Sequence, residues 1–169
     1  ANNANKQVVH TSAYFAKELF KWWNFAASAD MYYQAYQLKD ERKIFSSSVG
    51  YSFSVQNGFS FGNSWSVDSS YYWGSGDLQT MIERNRSSQW LSLSVSKKLL
   101  KDTAVVKLSL EDPLNAYQQT LVSNWNGVET LSENKYLSQQ ISLGFTYRFG
   151  REKEHTERNN SSLEEAKRM

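Results

Sequence analysis

His10 and His155 are the only histidines in a chain that has no cysteine, so metal binding or nucleophilic catalysis would have to start from them. A metal site needs several ligands at recurring short spacings, as in H-E-x-x-H, and neither His10 nor His155 has such neighbours. The many serines need a base before they can act as nucleophiles, and no histidine stands near the serine-rich stretches. Gly74-Ser75-Gly76 lacks the strand-to-helix setting of a phosphate loop and reads as a flexible loop tip. The expectation is therefore a protein that is not an enzyme, with no catalytic, cofactor-binding or metal-binding residues. What is left is electrostatic: Asp30, Lys107, Glu111 and Arg148 fall on the polar side of an alternating pattern. There they either form a charged network that holds or guides something, or are simply hydrated in a wet interior.

The elements that carry these residues follow a period of two. From Ile44 to Phe61 no residue is charged; the odd positions run Phe45, Ser47, Val49, Tyr51, Phe53, Val55, Asn57, Phe59, Phe61, and the even ones are Ser, Gly and Gln. Successive strand side chains point to opposite faces, so one face of this long strand is largely apolar and the other small and polar. The pattern recurs in Gln7 to Ala16, Trp23 to Tyr33, Trp65 to Trp73, Leu91 to Ser96, Val106 to Glu111 and Tyr136 to Phe149. About seven strands result, several longer than the ~5–6 residues usual in soluble sheets and suited to tilted bilayer crossings of ~9–11 residues.

Composition narrows the class. Six Trp, ten Tyr and nine Phe stand beside a single Pro, and the net charge of +2 is too small and too mixed for a nucleic-acid footprint. No apolar run approaches the ~20 residues of a transmembrane helix, and no charged and apolar leader opens the chain, which reads as a fragment or a mature piece. A soluble antiparallel sandwich also alternates, but its outer face would carry Lys and Glu where this chain has Ser, Gly, Asn and Gln. Rings near strand ends, at Phe45 and Phe61 and at Trp65 and Trp73, resemble interfacial girdles. The fold class is thus all-β: a portion of an antiparallel transmembrane β-barrel, over residues 1–150, with a polar and mobile periplasmic tail over 151–169.

Connection lengths set the orientation. Lys17 to Lys21, Phe61 to Ser64 and Lys97 to Thr103 are short, whereas Gly74 to Arg86 and the stretch around Asn115 to Asn134 are long. Barrels of the outer membrane keep short turns in the periplasm and long loops outside, so Phe149 is placed at the periplasmic side. Pro113 cannot donate to a ladder and is expected to mark a bulge where its strand leaves the membrane. An open sheet edge cannot face lipid, so closure calls for upstream strands.

Lys97-Lys98-Leu99-Leu100-Lys101-Asp102, then Val106 to Asn115 with Asp112-Pro113-Leu114-Asn115, then Ile141 to Gly150 ending Tyr147-Arg148-Phe149-Gly150, resemble the end of the Bacteroidetes outer-membrane β-barrel proteins related to TonB-dependent receptors. The polar tail from Ser161 to Met169 is similar to tails in that family. The resemblance implies a large barrel of a nutrient transporter, taking up a metal chelate, a vitamin or a glycan fragment, preceded by a plug domain and energised through TonB. It also implies that the aromatic pattern of the final strand, Ile141, Leu143, Phe145, Tyr147 and Phe149, is the signal read by the barrel assembly machinery. The expected partners are outer-membrane lipid, that machinery, the upstream strands and plug, and TonB, with no nucleic acid and no cofactor. The alternatives are a non-transporting structural or adhesin-type barrel, and a soluble carbohydrate-binding sheet that stacks sugars on Trp22, Trp73 and Trp125.

Overall fold

A computed structural model describes residues 4–38, 44–125, 127–134 and 137–149. His155 and the tail expected over 151–169 lie outside them. The described residues form ten strands: β1 (Ala4–Phe20), β2 (Trp23–Leu38), β3 (Ile44–Phe61), β4 (Trp65–Gly74), β5 (Glu83–Asn85), β6 (Ser88–Leu99), β7 (Ala104–Glu111), β8 (Gln119–Trp125), β9 (Val128–Asn134) and β10 (Gln140–Tyr147). No helix among them is long and apolar enough to cross a membrane, so any crossing is made by strands.

Seven of the strands make one antiparallel meander in the order β1-β2-β3-β4-β6-β7-β10, as the alternation predicts. Its first three members have 17, 16 and 18 residues, more than the ~9–11 of a bilayer crossing, and so extend beyond the hydrocarbon. The register keeps every alternation in phase. Ala29 pairs with Phe53, which pairs with Trp73; Phe59 pairs with Val67, Val67 with Val95, Val95 with Leu108 and Leu108 with Leu143. A slip of one residue anywhere would turn a strand's apolar set to the wrong side. The β1–β2 turn is only Lys21 and Trp22, because β1 continues through the expected turn to Phe20. The β6–β7 turn takes Leu100, Lys101 and Asp102 through positive φ of 51°, 55° and 69°.

Three expectations are corrected. The segments read as plain long loops fold into a second, three-stranded sheet in the order β5-β8-β9. Short strands of 3, 7 and 7 residues within Gly- and polar-rich sequence give no sustained alternation, which is why the pattern did not reveal them. Pro113 is not at a bulge: β7 ends at Glu111, and the register shifts fall at Glu18/Phe20 and Tyr36/Gln37. The final strand is also shorter than read, opening at Gln140.

Candidate functional site

The two faces of the meander meet different surroundings. On the apolar face, Tyr51 and Phe53 of β3, Val95 of β6, Leu108 of β7 and Ile141, Leu143 and Phe145 of β10 are all exposed large hydrophobic side chains. Such an expanse is foreign to a water-soluble monomer and is what hydrocarbon contact requires. Rings gather at both ends of the band. Phe20, Trp22, Trp23, Phe59 and Phe61 stack with centroids 5.5–6.5 Å apart beside the short turns, and Tyr51 and Phe53 lie against Trp73 at 5.8 and 5.7 Å toward the other end. Asn57, the one amide in the odd-numbered series of β3, accepts a hydrogen bond from the Trp23 indole at 3.1 Å, so its polar oxygen is satisfied on the apolar face. Lys97 lies on the same face with its ammonium 4.7 Å from the Trp65 ring centre. A cation over an indole at the end of an apolar strand is the position from which lysine reaches headgroups.

An open groove runs over the polar face. Asn24, Gln56, Asp68, Ser70, Ser92 and Ser94 line this groove of about 670 Å³, which spans β1, β2, β3, β4 and β6. Hydroxyls and carboxylates bond across strands here: Ser28 with Ser54 at 2.8 Å, Ser94 to Asp68 at 3.3 Å, and both Ser92 and the Trp90 indole to Glu111 at 3.1 and 3.2 Å.

The four charged residues singled out from the sequence share this side without forming a network. Asp30 accepts from Ser52 at 3.5 Å and pairs with His10 at 3.1 Å, while Glu111 is held by Trp90 and Ser92. Among the described residues no ion pair joins Asp30, Lys107, Glu111 and Arg148 to one another; Arg148 instead donates its backbone amide to the Thr103 carbonyl at 2.9 Å. The His10–Asp30 pair was not legible, because twenty residues separate them in the chain and only the β1–β2 register makes them diagonal neighbours. The order His10–Asp30–Ser52 puts the acid in the middle, whereas a serine nucleophile needs the imidazole between acid and hydroxyl. Among the described residues there is also no group of three or more His, Asp or Glu placed to hold a metal ion.

At the end of the meander opposite the short turns, the second sheet and the segments leading into it lie against the polar face. The Tyr36 and Tyr32 hydroxyls donate to the carbonyls of Gln79 at 2.7 Å and Gly76 at 3.3 Å, and Leu78 is buried. Tyr32 itself lies over Gly50, where a Cβ would stand 2.3 Å from the ring; no larger residue leaves that ring in place. Below β8, the fully buried Asp112 accepts from the amides of Ala116 and Tyr117, both at 2.9 Å, and from the Ser138 hydroxyl. Burial pushes its carboxyl up, but the hydrogen bonds from Ser138, Ala116 and Tyr117 outweigh that and hold it below the ordinary value. Asp112 thus ties together the two ends of the long segment between β7 and β10.

The final strand exposes the five residues of the expected assembly signal on one face, with Tyr147 and Phe149 edge to face at 4.6 Å. Of the tryptophans considered as sugar platforms, Trp22 and Trp73 are engaged in the ring clusters of the apolar face, and the Trp125 side chain lies outside the described set. A model of the outer membrane protein beta-barrel family matches residues 1–147, and the chain belongs to that family. It is an outer-membrane protein of a Gram-negative bacterium, and its meander is barrel wall. No curated protein and no solved structure matches the chain.

Proposed function

We propose that this member of the outer-membrane β-barrel family is the wall and mouth of a TonB-dependent-receptor-like transporter of the Bacteroidetes type, which takes up a scarce nutrient and catalyses no reaction. The observation that carries the reading is the pairing of a polar groove with a folded cap beside it: Gln56, Asp68 and Ser92 line the groove, and Tyr32 and Tyr36 anchor the cap. An adhesin needs an outward-facing cap but no polar groove beside it. Six antiparallel pairings separate β1 from β10, so these free edges run in the same direction and cannot pair antiparallel with each other. Further strands closing the wall, and a plug within it, fit that geometry. The exposed Ile141, Leu143, Phe145, Tyr147 and Phe149 would be the segment handled by the assembly machinery.

Uptake is tested in cells that express the full-length protein, with and without TonB. Growth on a limiting nutrient that requires both the protein and TonB is expected. Growth that depends on the protein but is indifferent to TonB overturns energised transport, and cell-surface adhesion in place of any uptake favours the adhesin reading.

A further inference from the structure

At the end of the polar face opposite the short turns, cap and wall enclose a pocket of about 220 Å³. Tyr32 and Tyr72 come from β2 and β4, Asp77, Asn85 and Arg86 from the segment around β5, and Gln118 from the approach to β8. Gly76 permits the enclosure: its φ is +87°, and a Cβ there would stand 2.2 Å from the Asn85 carbonyl oxygen. Only glycine lets the chain double back so tightly onto β5.

Three features of the pocket point to a ligand. Asn85 donates its side-chain amide to Asp77 at 2.8 Å, which holds that carboxylate in the pocket wall. Arg86 is fixed through its backbone amide, which donates to the Thr120 carbonyl at 2.9 Å, yet among the described residues its exposed guanidinium has no ion pair. Tyr72 keeps an exposed ring beside these groups.

We propose that this pocket binds one sugar ring, preferentially one that carries a carboxylate. A sugar hydroxyl both donates and accepts, so it can donate to the Asp77 carboxylate while accepting from the Gln118 amide. The C–H face of the ring packs on Tyr72, and a carboxylate matches the planar fork of Arg86. The volume lies below the ~300–1,000 Å³ of sites for drug-sized ligands, which suits a single ring and not a long oligosaccharide. The inference deepens the uptake reading, and its physiological sense rests on it, but binding is measurable apart from transport.

The test is a calorimetric titration of the full-length protein in detergent micelles with glucuronate, glucose and acetate. Glucuronate is expected to bind about tenfold more tightly than glucose, the factor one charge-assisted hydrogen-bonded pair supplies, and acetate not to compete. Arg86→Gln should erase the preference and leave glucose binding, and Tyr72→Ala should weaken both sugars. Neither side chain is buried, so both variants should fold; heat-modifiable migration on gels checks this. Failure of either sugar to bind, equal binding by the Arg86→Gln protein, or acetate competing as well as glucuronate overturns the proposal. TonB-dependent uptake of another solute without sugar binding overturns the pocket assignment and spares the transport reading. Sugar binding that needs Arg86 and Tyr72, with no uptake, does the reverse.

Discussion

The seven-stranded wall and the three-stranded cap are both antiparallel sheets, yet they are specified in opposite ways. Each wall strand is bounded by two different environments, so its sequence must alternate along its membrane-crossing length, and a long run such as Ile44–Phe61 declares itself. The cap has no lipid face. Its strands are short, every residue of β9 is exposed, and its geometry depends on point contacts: Tyr36 to Gln79, Asn85 to Asp77, and the three donors on Asp112. Wall stability is thus spread over an area, and cap stability is concentrated in a few hydrogen bonds.

The sharpest way to break that contrast is to charge the wall. Val55 lies on the apolar face between the ring clusters at Tyr51/Trp73 and Phe59/Phe61, and Gln56 beside it lines the groove. Val55→Arg should cost about 2–4 kcal/mol in refolding into lipid, the penalty of a cation at the bilayer midplane, whereas Gln56→Arg should cost under about 1 kcal/mol. Denaturant titration of both variants in the same vesicles compares them directly. Equal penalties would mean that the two faces do not meet lipid and a polar interior.

The same difference explains what the sequence made legible. The seven wall strands, their facing and the side bearing the short turns follow from alternation and loop length, because those signals are repeated many times. The Asp112 cluster and the β5–β8 pairing were missed because their partners are distant in the chain, Ser138 lying 26 residues from Asp112, whereas β8 and β9 pair locally, Trp125 with Val128, but are too short to sustain an alternation. Asp30 was placed on the polar face by period alone, but its partner His10 needed the hairpin register. Lys107 and Arg148 share that side with Asp30 and Glu111, and the sharing of a face did not bring them into contact. Asn57 reads as an interruption of the apolar series until the Trp23 indole is seen to satisfy it.

An intermediate effect is expected in the cap. Asp112→Ala leaves the Ala116 and Tyr117 amides and the Ser138 hydroxyl without their acceptor, and should loosen the segment between β7 and β10 by about 1–3 kcal/mol while leaving the wall intact. Acid should mimic it. The folded carboxyl is held below its ordinary 3.8, so its contribution is present in full above that value and is lost as pH falls through the lower folded one. Protection of the Ala116 and Tyr117 amides, taken against the intrinsic exchange rate at each pH, should therefore be high at neutral pH and fall as the pH drops through the lowered carboxyl value. Fast exchange at neutral pH would show that Asp112 does not hold the segment.

The smallest effect sharpens where the wall stops being lipid-facing. Lys97 shares the apolar face with Val95 and Trp65, but it is the last outward residue of β6 but one and lies close to the short β6–β7 turn. Its ammonium over the Trp65 ring is stabilised by the indole while the stem covers apolar surface, and exposed pairs of this kind contribute about 0.5–1 kcal/mol. Lys97→Met keeps the stem and removes the charge, so refolding should lose no more than that, and high salt should narrow the gap between the two proteins. A gain in stability would place the hydrocarbon boundary beyond Lys97, nearer Leu99 and the turn. A loss above about 2 kcal/mol would mean that the charge is paired with a group other than Trp65, and the band of rings at Trp22, Phe61 and Trp65 would no longer mark the edge of the hydrocarbon on the side of the short turns.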